Sequence, residues 1–134
     1  MNIKIKNAPH YEARLYIGSR ENYDGPAFDV DRLHEVIKDF QNEHLVDDVL
    51  IPVRVTATTY RAGDYSEDGW EVAVINYPRK PRDRIILESF MFELAQHLLD
   101  VLKQNRISVV TPEKIVMFES DVAVEKASCH CEKE

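Results

Sequence analysis

A long apolar stripe with helical spacing constrains the fold of this chain more than any other feature. Apolar residues recur every three or four positions in its second half, at Ile85, Ile86, Phe90, Met91, Leu94, Ala95, Leu98, Val101 and Leu102. The spacing predicts a helix of about twenty residues. Because one broad face of this helix is apolar, the helix must cover another apolar surface, and we expect that surface to be a sheet.

The first part of the chain predicts a strand followed by a second helix. Residues 11–18 are rich in aromatic and β-branched residues and end at Gly18, which indicates a strand. Turn-forming residues then predict a loop over residues 19–26. From Asp29, which is suited to cap a helix, apolar residues at helical spacing predict a helix to about His44.

Four further strands or strand-like segments are predicted. Alternating apolar residues from Val49 to Val55 predict a strand over residues 49–61, and Pro52 makes it edge-like or bulged. We expect a hairpin loop over residues 61–69 and a returning strand over residues 70–77, buried on both faces at residues 72–75. After the long helix, short strands are predicted at residues 107–110 and 115–118.

The element order predicts a ferredoxin-like βαββαβ sandwich or a close variant, in the α+β class. Both helices lie on one face of a mainly antiparallel sheet, and one short strand is added at the end. Residues 1–119 form the expected single domain, and residues 120–134 a flexible tail. Because two helices cannot hide all of the apolar surface, we expect a homo-oligomer.

Charge and composition exclude several functional classes. The 134 residues carry 17 basic and 24 acidic side chains, a net charge of −7, which disfavours a long nucleic acid as partner. The longest apolar runs are four residues, so no membrane span is expected, and we predict a cytoplasmic protein. The only cysteines, Cys129 and Cys131, flank His130; a disulfide between them would staple nothing, and we predict no metal site there.

Motifs of catalysis are absent from the sequence. The chain has no glycine-rich phosphate loop, no Gly-x-Ser-x-Gly, no His-Glu-x-x-His and no Cys-x-x-Cys, and its five histidines are scattered. We therefore expect a binding protein rather than an enzyme, with no cofactor.

Two basic or aromatic segments are candidate binding sites. Residues 79–84 contain four basic residues and one acid, between a strand and the start of a helix, where N–H groups and arginines favour phosphate. A solvated turn with paired arginines is the alternative. The loop after the first strand offers Arg20, Asn22 and Tyr23 for nucleotide recognition. Arg106 follows the long helix, where it serves equally well as dipole compensation.

Several short motifs resemble the phage anti-Thoeris family, whose members sequester cyclic ADP-ribose immune signals. They are Tyr16-Ile17-Gly18 with residues 21–25, Ile75 to Arg79, and Asn105 to Val109, within residues 14–119. The resemblance implies a homo-oligomeric sponge in the host cytoplasm that holds a small cyclic nucleotide at subunit junctions without cleaving it. The ligand-binding residues implied or favoured are Arg79 and Arg106 for phosphate, Tyr23 and Tyr77 for stacking, with Arg20, Asn76 and Arg82.

Two other classes of protein remain open from the sequence. A ferredoxin-like oligomer similar to the divalent-cation tolerance family would share the element order and a tryptophan after the hairpin, here Trp70. A protein-binding adaptor would use only the uncovered face of the sheet. An enzyme is the class that the sequence supports least.

Overall fold

A computed structural model describes residues 1–121 of the chain. Two helices and five strands follow one another along it. They are β1 (Glu12–Gly18), α1 (Val30–Glu43), β2 (Arg54–Ala62), β3 (Tyr65–Ile75), α2 (Arg84–Val101), β4 (Arg106–Val110) and β5 (Ile115–Glu119). None of the helices in this part of the chain is long and apolar enough to cross a membrane.

The five strands form one sheet in the order β2-β3-β1-β4-β5, and every neighbouring pair is antiparallel. Both helices cover the same face of the sheet. The first four strands have the arrangement of a ferredoxin-like fold, and β5 extends the sheet beyond β4. The predicted α+β class and ferredoxin-like variant are therefore confirmed.

The core lies between the helices and one face of the sheet. Leu15 on β1 is opposite Val72 on β3 and Val109 on β4, and all three side chains are fully buried. Helix α2 contributes Leu94 and Leu98, which are also fully buried. The apolar stripe of α2 thus covers the sheet as its spacing predicted.

Helix α1 begins where its capping residue predicted. The Oδ1 of Asp29 accepts a hydrogen bond from the backbone N–H of Arg32 at 3.0 Å, which satisfies one of the free donors of the first turn. Leu33, Ile37 and Phe40 from the predicted stripe are buried.

The strand predicted over residues 49–61 begins later in the structure. Residues 49–53 are not part of β2, which starts at Arg54. Pro52 has no N–H for a ladder, and the carbonyl of Ile51 accepts a hydrogen bond from Gln41 Nε2 at 2.8 Å. The alternation at Val49 and Ile51 reflects a loop that buries Ile51 beneath α1, and the prediction of a strand there was wrong.

The hairpin loop predicted over residues 61–69 is also wrong. β2 and β3 continue to a two-residue turn at Gly63 and Asp64, with Ala62 paired to Tyr65. Gly63 has a φ of +61°, which suits glycine at the first position of a tight hairpin turn. The polar stretch is therefore strand, and its alternate residues share one face. The predicted tail extends beyond the described residues, and Cys129, His130 and Cys131 lie outside them.

Candidate functional site

A pocket of about 250 Å³ lies on the face of the sheet that the helices leave uncovered, called here the open face. Strands β1 to β5 all contribute to it, together with the loops that follow β1 and α2. The pocket is lined by Tyr16, Gly18, Tyr23, Tyr60, Tyr65, Glu67, Gln104, Arg106, Ser108 and Met117. Four tyrosines around one carboxylate give it an aromatic wall with an acidic centre.

Glu67 is the acidic centre of this pocket. Its residue is only 6% exposed, and it is the one charged residue among the buried polar residues of positions 1–121. Its Oε2 accepts a hydrogen bond from the backbone N–H of Arg20 at 2.8 Å, and its Oε1 accepts one from the hydroxyl of Tyr65. A buried carboxylate needs such partners, and the two hydrogen bonds fix its orientation.

Two glycines leave room for the carboxylate and an aromatic ring. Gly18 on β1 is paired with Gly69 on β3. A Cβ atom at Gly18 would lie 2.2 Å from Oε2 of Glu67, and one at Gly69 would lie 2.6 Å from the ring of Tyr60. The glycine pair thus makes room for Glu67 and Tyr60, and Gly18 itself lines the pocket.

The hydroxyls of Tyr60 and Tyr65 are hydrogen-bond donors with raised pKa values. Tyr60 stands edge-on to Tyr16, with ring centroids 6.3 Å apart, and its hydroxyl donates to the carbonyl of Trp70 at 2.7 Å. Burial raises the pKa of Tyr60 well above its usual value. Burial, followed by the hydrogen bond to Glu67, raises the pKa of Tyr65 to about 12.

The rim of the pocket is a loop held against β4. The guanidinium of Arg106 donates to the hydroxyl of Tyr23 at 3.2 Å and to Glu119 at 2.8 Å, and these hydrogen bonds raise the pKa of Arg106. Asn22 and Tyr23 both have positive φ, 50° and 69°, which residues other than glycine seldom adopt. The backbone N–H of Asn22 donates to the carbonyl of Lys103 at 2.9 Å, which secures the loop.

Three of the residues predicted from the sequence lie at this pocket. Tyr23 and Arg106 line it, and Arg20 adjoins it through the N–H that it donates to Glu67. The sequence placed Tyr23 in a nucleotide-recognition loop, and the structure puts its hydroxyl on Arg106.

The other four predicted residues lie at the opposite end of the sheet. Asn76, Tyr77, Arg79 and Arg82 follow β3, whose last residue pairs with Glu12, while the pocket surrounds Gly18 six residues away. At strand spacing, the two ends are about 20 Å apart. The structure therefore does not bring Arg79 and Arg106 together within one chain.

Two of the four basic side chains in the cluster are held by ion pairs within the protein. The side chain of Arg82 is only 8% exposed and lies 3.4 Å from Asp47, while Arg84 pairs with Glu113. Asn76 accepts from the backbone N–H of Arg82 at 2.8 Å and donates to the carbonyl of Pro9 at 2.9 Å. These contacts organise the turn before α2.

Sequence reasoning missed the central residues of the pocket, Tyr60, Tyr65 and Glu67. All three fall at or near the polar stretch that was interpreted as a loop. A signal was present, because Tyr60, Ala62, Tyr65 and Glu67 alternate on either side of Gly63 and Asp64, a pair suited to a two-residue turn. Reading the segment as a hairpin places all four residues on one face.

Other cavities of the described residues are larger. One of about 450 Å³ lies at the C-terminal end of α2, where Asp100, Lys103, Glu119 and Asp121 line it without any aromatic side chain. A cavity of about 400 Å³ lies where the end of α1 meets the start of α2, and its walls include Leu45, Ile85 and Ile86. Within residues 1–121, no three histidine, cysteine or acidic side chains are grouped so that they could hold a metal ion.

Comparison with known proteins adds a structural likeness. No family model matches the sequence, and no curated protein is similar to it in sequence. The fold is similar to a phage SAM lyase solved in complex with S-methyl-5′-thioadenosine, with a TM-score of 0.63 and 12% identity over 90% of this chain and 98% of that one. A phage SAM lyase in the apo state is similar with a TM-score of 0.60 and 14% identity, over 83% and 90% of the two chains.

These solved structures correct two expectations from the sequence. Both are described as SAM lyases, which are enzymes, and one of them contains bound S-methyl-5′-thioadenosine. This finding overturns the predicted cyclic ADP-ribose sponge and the prediction that the chain is not an enzyme. At 12–14% identity, the likeness itself shows a shared fold.

Proposed function

We propose that this chain binds S-adenosylmethionine (SAM) in the pocket around Glu67 and cleaves it to S-methyl-5′-thioadenosine. The observation that carries the proposal is a buried carboxylate set among tyrosines on the open face of this fold. Because the substrate is a metabolite of the cytoplasm, the proposed place of action is the cytoplasm of a phage host.

The pocket suits a sulfonium cation. Aromatic ring faces attract cations, and a nearby carboxylate adds a full opposite charge in a site that is partly closed to water. Glu67 uses one hydrogen bond on each oxygen, and a carboxylate has about four lone-pair sites. Its oxygens can therefore still face a bound cation.

The remaining lining suits a nucleoside. Met117 and the tyrosine rings offer apolar contact area, and the hydroxyls of the tyrosines with the amide of Gln104 offer hydrogen bonds. At about 250 Å³ the pocket is slightly smaller than most sites for small molecules, which begin near about 300 Å³. We therefore expect one chain to enclose only part of the substrate.

The proposed reaction breaks the bond between the sulfonium sulfur and the γ-carbon of the amino-acid chain. The electron pair of that bond goes to sulfur, which leaves as the neutral thioether of S-methyl-5′-thioadenosine. The four-carbon amino-acid fragment then either forms a carbon–oxygen bond to its own carboxylate or loses a proton, and neither route consumes water. The protein has to bind the substrate, orient it and keep water away from it. Neither route requires a nucleophilic side chain.

Cleavage is tested by incubating the purified full chain with SAM in water enriched in oxygen-18 and following the products by liquid chromatography and mass spectrometry. We expect S-methyl-5′-thioadenosine to appear with a four-carbon fragment that carries no oxygen-18. Oxygen-18 in the four-carbon fragment at the earliest time point would indicate hydrolysis instead. Recovery of intact SAM would contradict the proposed reaction.

Glu67→Gln tests the role of the carboxylate in the same assay. The amide keeps the shape but loses the charge, and the loss of a charged contact worth about 1.5–3 kcal/mol predicts a fall in kcat/KM of about 10- to 150-fold. Glu71→Gln is the matched control, since Glu71 lies on the open face in an ion pair with Arg14 and outside the pocket lining. Equal losses of kcat/KM in both variants would contradict a role for Glu67 in binding the substrate.

A further inference from the structure

A second cavity adjoins the pocket around Glu67. It has a volume of about 450 Å³, lies at the C-terminal end of α2 and is called here the end cavity. Gln104 lines both the end cavity and the pocket, so one side chain stands between the two. The loop after β1 also reaches both, since Asn22 lines the end cavity and Tyr23 lines the pocket. The two cavities are therefore neighbours at one end of the sheet.

The backbone of Arg20 joins Glu67 to Gln104. Its N–H donates to Oε2 of Glu67 at 2.8 Å, and its carbonyl accepts from Nε2 of Gln104 at 3.1 Å. Arg20 forms a β-bridge with Ala27, and the N–H and C=O of an extended residue point to the same side. The carboxylate of Glu67 and the amide of Gln104 therefore lie side by side, and a ligand that contacts one is within reach of the other.

The amide of Gln104 is held by its nitrogen, and its oxygen is left over. The residue is only 5% exposed, and Nε2 also donates to the carbonyl of Leu102 at 3.2 Å. Both N–H groups are thus used, while Oε1 has no partner within residues 1–121. Oε1 is also not one of the polar atoms that are sealed inside the protein without a partner. It is therefore an acceptor presented to whatever occupies the cavities that Gln104 lines.

The end cavity brings charges of both signs together. The side chain of Lys103 is 67% exposed and lies 3.8 Å from Glu21, an ion pair of the kind that contributes little to stability. Asp100 and Asp121 supply carboxylates, whereas Glu119 is already engaged by β4. Helix α2 ends at this cavity, and the C-terminal end of a helix favours cations. The end cavity thus suits a group that carries both an ammonium and a carboxylate.

We propose that the end cavity binds the amino-acid end of the substrate, with Oε1 of Gln104 and the carboxylate of Asp100 toward the ammonium and Nζ of Lys103 toward the carboxylate. The inference rests on the proposed function: with the sulfonium at Glu67, the short amino-acid arm brings its charged end close to Gln104. The nucleoside stays among the tyrosines of the pocket. The end cavity is open to solvent, so it contacts this end of the substrate without enclosing it. Lys103 engages one carboxylate oxygen and leaves the second for the carbon–oxygen bond of the proposed reaction.

Two neutral thioethers test the amino-acid end separately from the rest of the substrate. S-adenosylhomocysteine and S-methyl-5′-thioadenosine share the nucleoside and the sulfur, and only the first carries the amino-acid arm. Isothermal titration calorimetry on the full chain is expected to show that S-adenosylhomocysteine binds about tenfold more tightly. Equal affinities, or tighter binding of S-methyl-5′-thioadenosine, would overturn this inference and leave the proposed function in place. If neither compound binds, both the inference and the proposed SAM site are wrong.

Exposed charges of the end cavity can be removed one at a time. Lys103→Gln and Asp100→Asn are each expected to weaken the binding of S-adenosylhomocysteine about fivefold and to leave that of S-methyl-5′-thioadenosine unchanged. Both side chains are exposed, so the variants should fold. Lys114→Gln is the control, since Lys114 precedes β5 at the other end of that strand and should change neither affinity. Unchanged binding in both variants, or equal losses for the two compounds, would overturn the inference.

Discussion

At the scale of single residues, Tyr65 helps to fix the orientation of the Glu67 carboxylate. The Tyr65 hydroxyl donates to Glu67, and burial together with this hydrogen bond raises the pKa of Tyr65 from 10 to about 12. The hydroxyl therefore remains a donor at neutral pH, and Glu67 remains the acceptor. The orientation of the carboxylate thus depends on a proton that the folded protein retains.

The raised pKa of Tyr65 predicts a loss of stability in strong base. Between pH 10 and pH 12 the unfolded chain releases a tyrosine proton that the native chain keeps, so the free energy of unfolding falls as the pH rises. Tyr65→Phe should make that fall shallower in urea unfolding across this range. Tyr77→Phe, an exposed tyrosine at the far end of the sheet, is the control. The same slope in both variants would contradict the assignment.

The sequence predicted the rim residues of the pocket better than its centre. Tyr23 and Arg106 lie in segments with clear turn and helix-end signals, so their positions follow from local structure. Glu67 becomes a site residue only when β3 pairs with both β1 and β2, which brings Gly18 beside it and Tyr60 opposite it. That juxtaposition depends on long-range pairing, which local composition does not encode.

At the scale of elements, β1 and β3 fit together through Gly18 and Gly69. The register pairs the two glycines, and each leaves space that a neighbouring side chain fills. Strand interiors usually avoid glycine. The close approach of the strands to Glu67 and Tyr60 explains why these two positions have none of the usual strand residues.

Gly18→Ala tests this fit. The new Cβ would overlap Oε2 of Glu67, so we expect a loss of about 1–3 kcal/mol in the free energy of unfolding. Adding Glu67→Ala removes the overlap, and the double variant should be more stable than the sum of the two single changes. Urea unfolding of all three proteins provides the measurement.

Gly69→Ala is the matched comparison for this cycle. Its Cβ would lie 2.3 Å from the backbone carbonyl of Ile17, which no side-chain truncation can move. Glu67→Ala should therefore not rescue Gly69→Ala. Additive losses in the Gly18 pair as well would show that Glu67 does not fill the space beside Gly18.

The elements that the sequence predicted well are those with a long, regular period. Helix α2 spans eighteen residues, and its apolar stripe repeats often enough to identify a helix without ambiguity. Strand β2 was predicted too early because Val49 and Ile51 alternate within a loop, where burial of Ile51 under α1 imitates the period of a strand. A short pattern cannot distinguish these two causes.

At the scale of the whole molecule, the two faces of the sheet have different structural roles. The helix-covered face supplies the core, and the open face supplies the pocket and the apolar edge of β5. The fold follows from the order of the patterns along the chain. The chemistry could not be predicted in the same way, because the pocket is shared among five strands and two loops that no single segment reveals.

Paired changes on α2 separate the core from the surface. Leu94→Ala removes a fully buried side chain between helix and sheet and should lower the free energy of unfolding by about 2–5 kcal/mol. Ile85→Ala changes a residue that is 71% exposed on the same helix and should stay within about 0.5 kcal/mol. Urea unfolding of the two variants measures the difference. Comparable losses would contradict the layered arrangement.

The two-residue turn at Gly63 and Asp64 sets a rule of parity for the pocket. Inserting one residue into β3 between Tyr65 and Glu67 would turn Tyr65 toward the helix-covered face while Glu67 kept its place. Inserting two there would return Tyr65 to the open face. Chains that share this pocket should therefore place the residues equivalent to Tyr65 and Glu67 an even number of positions apart, a constraint that can be recognised even where sequence identity is low.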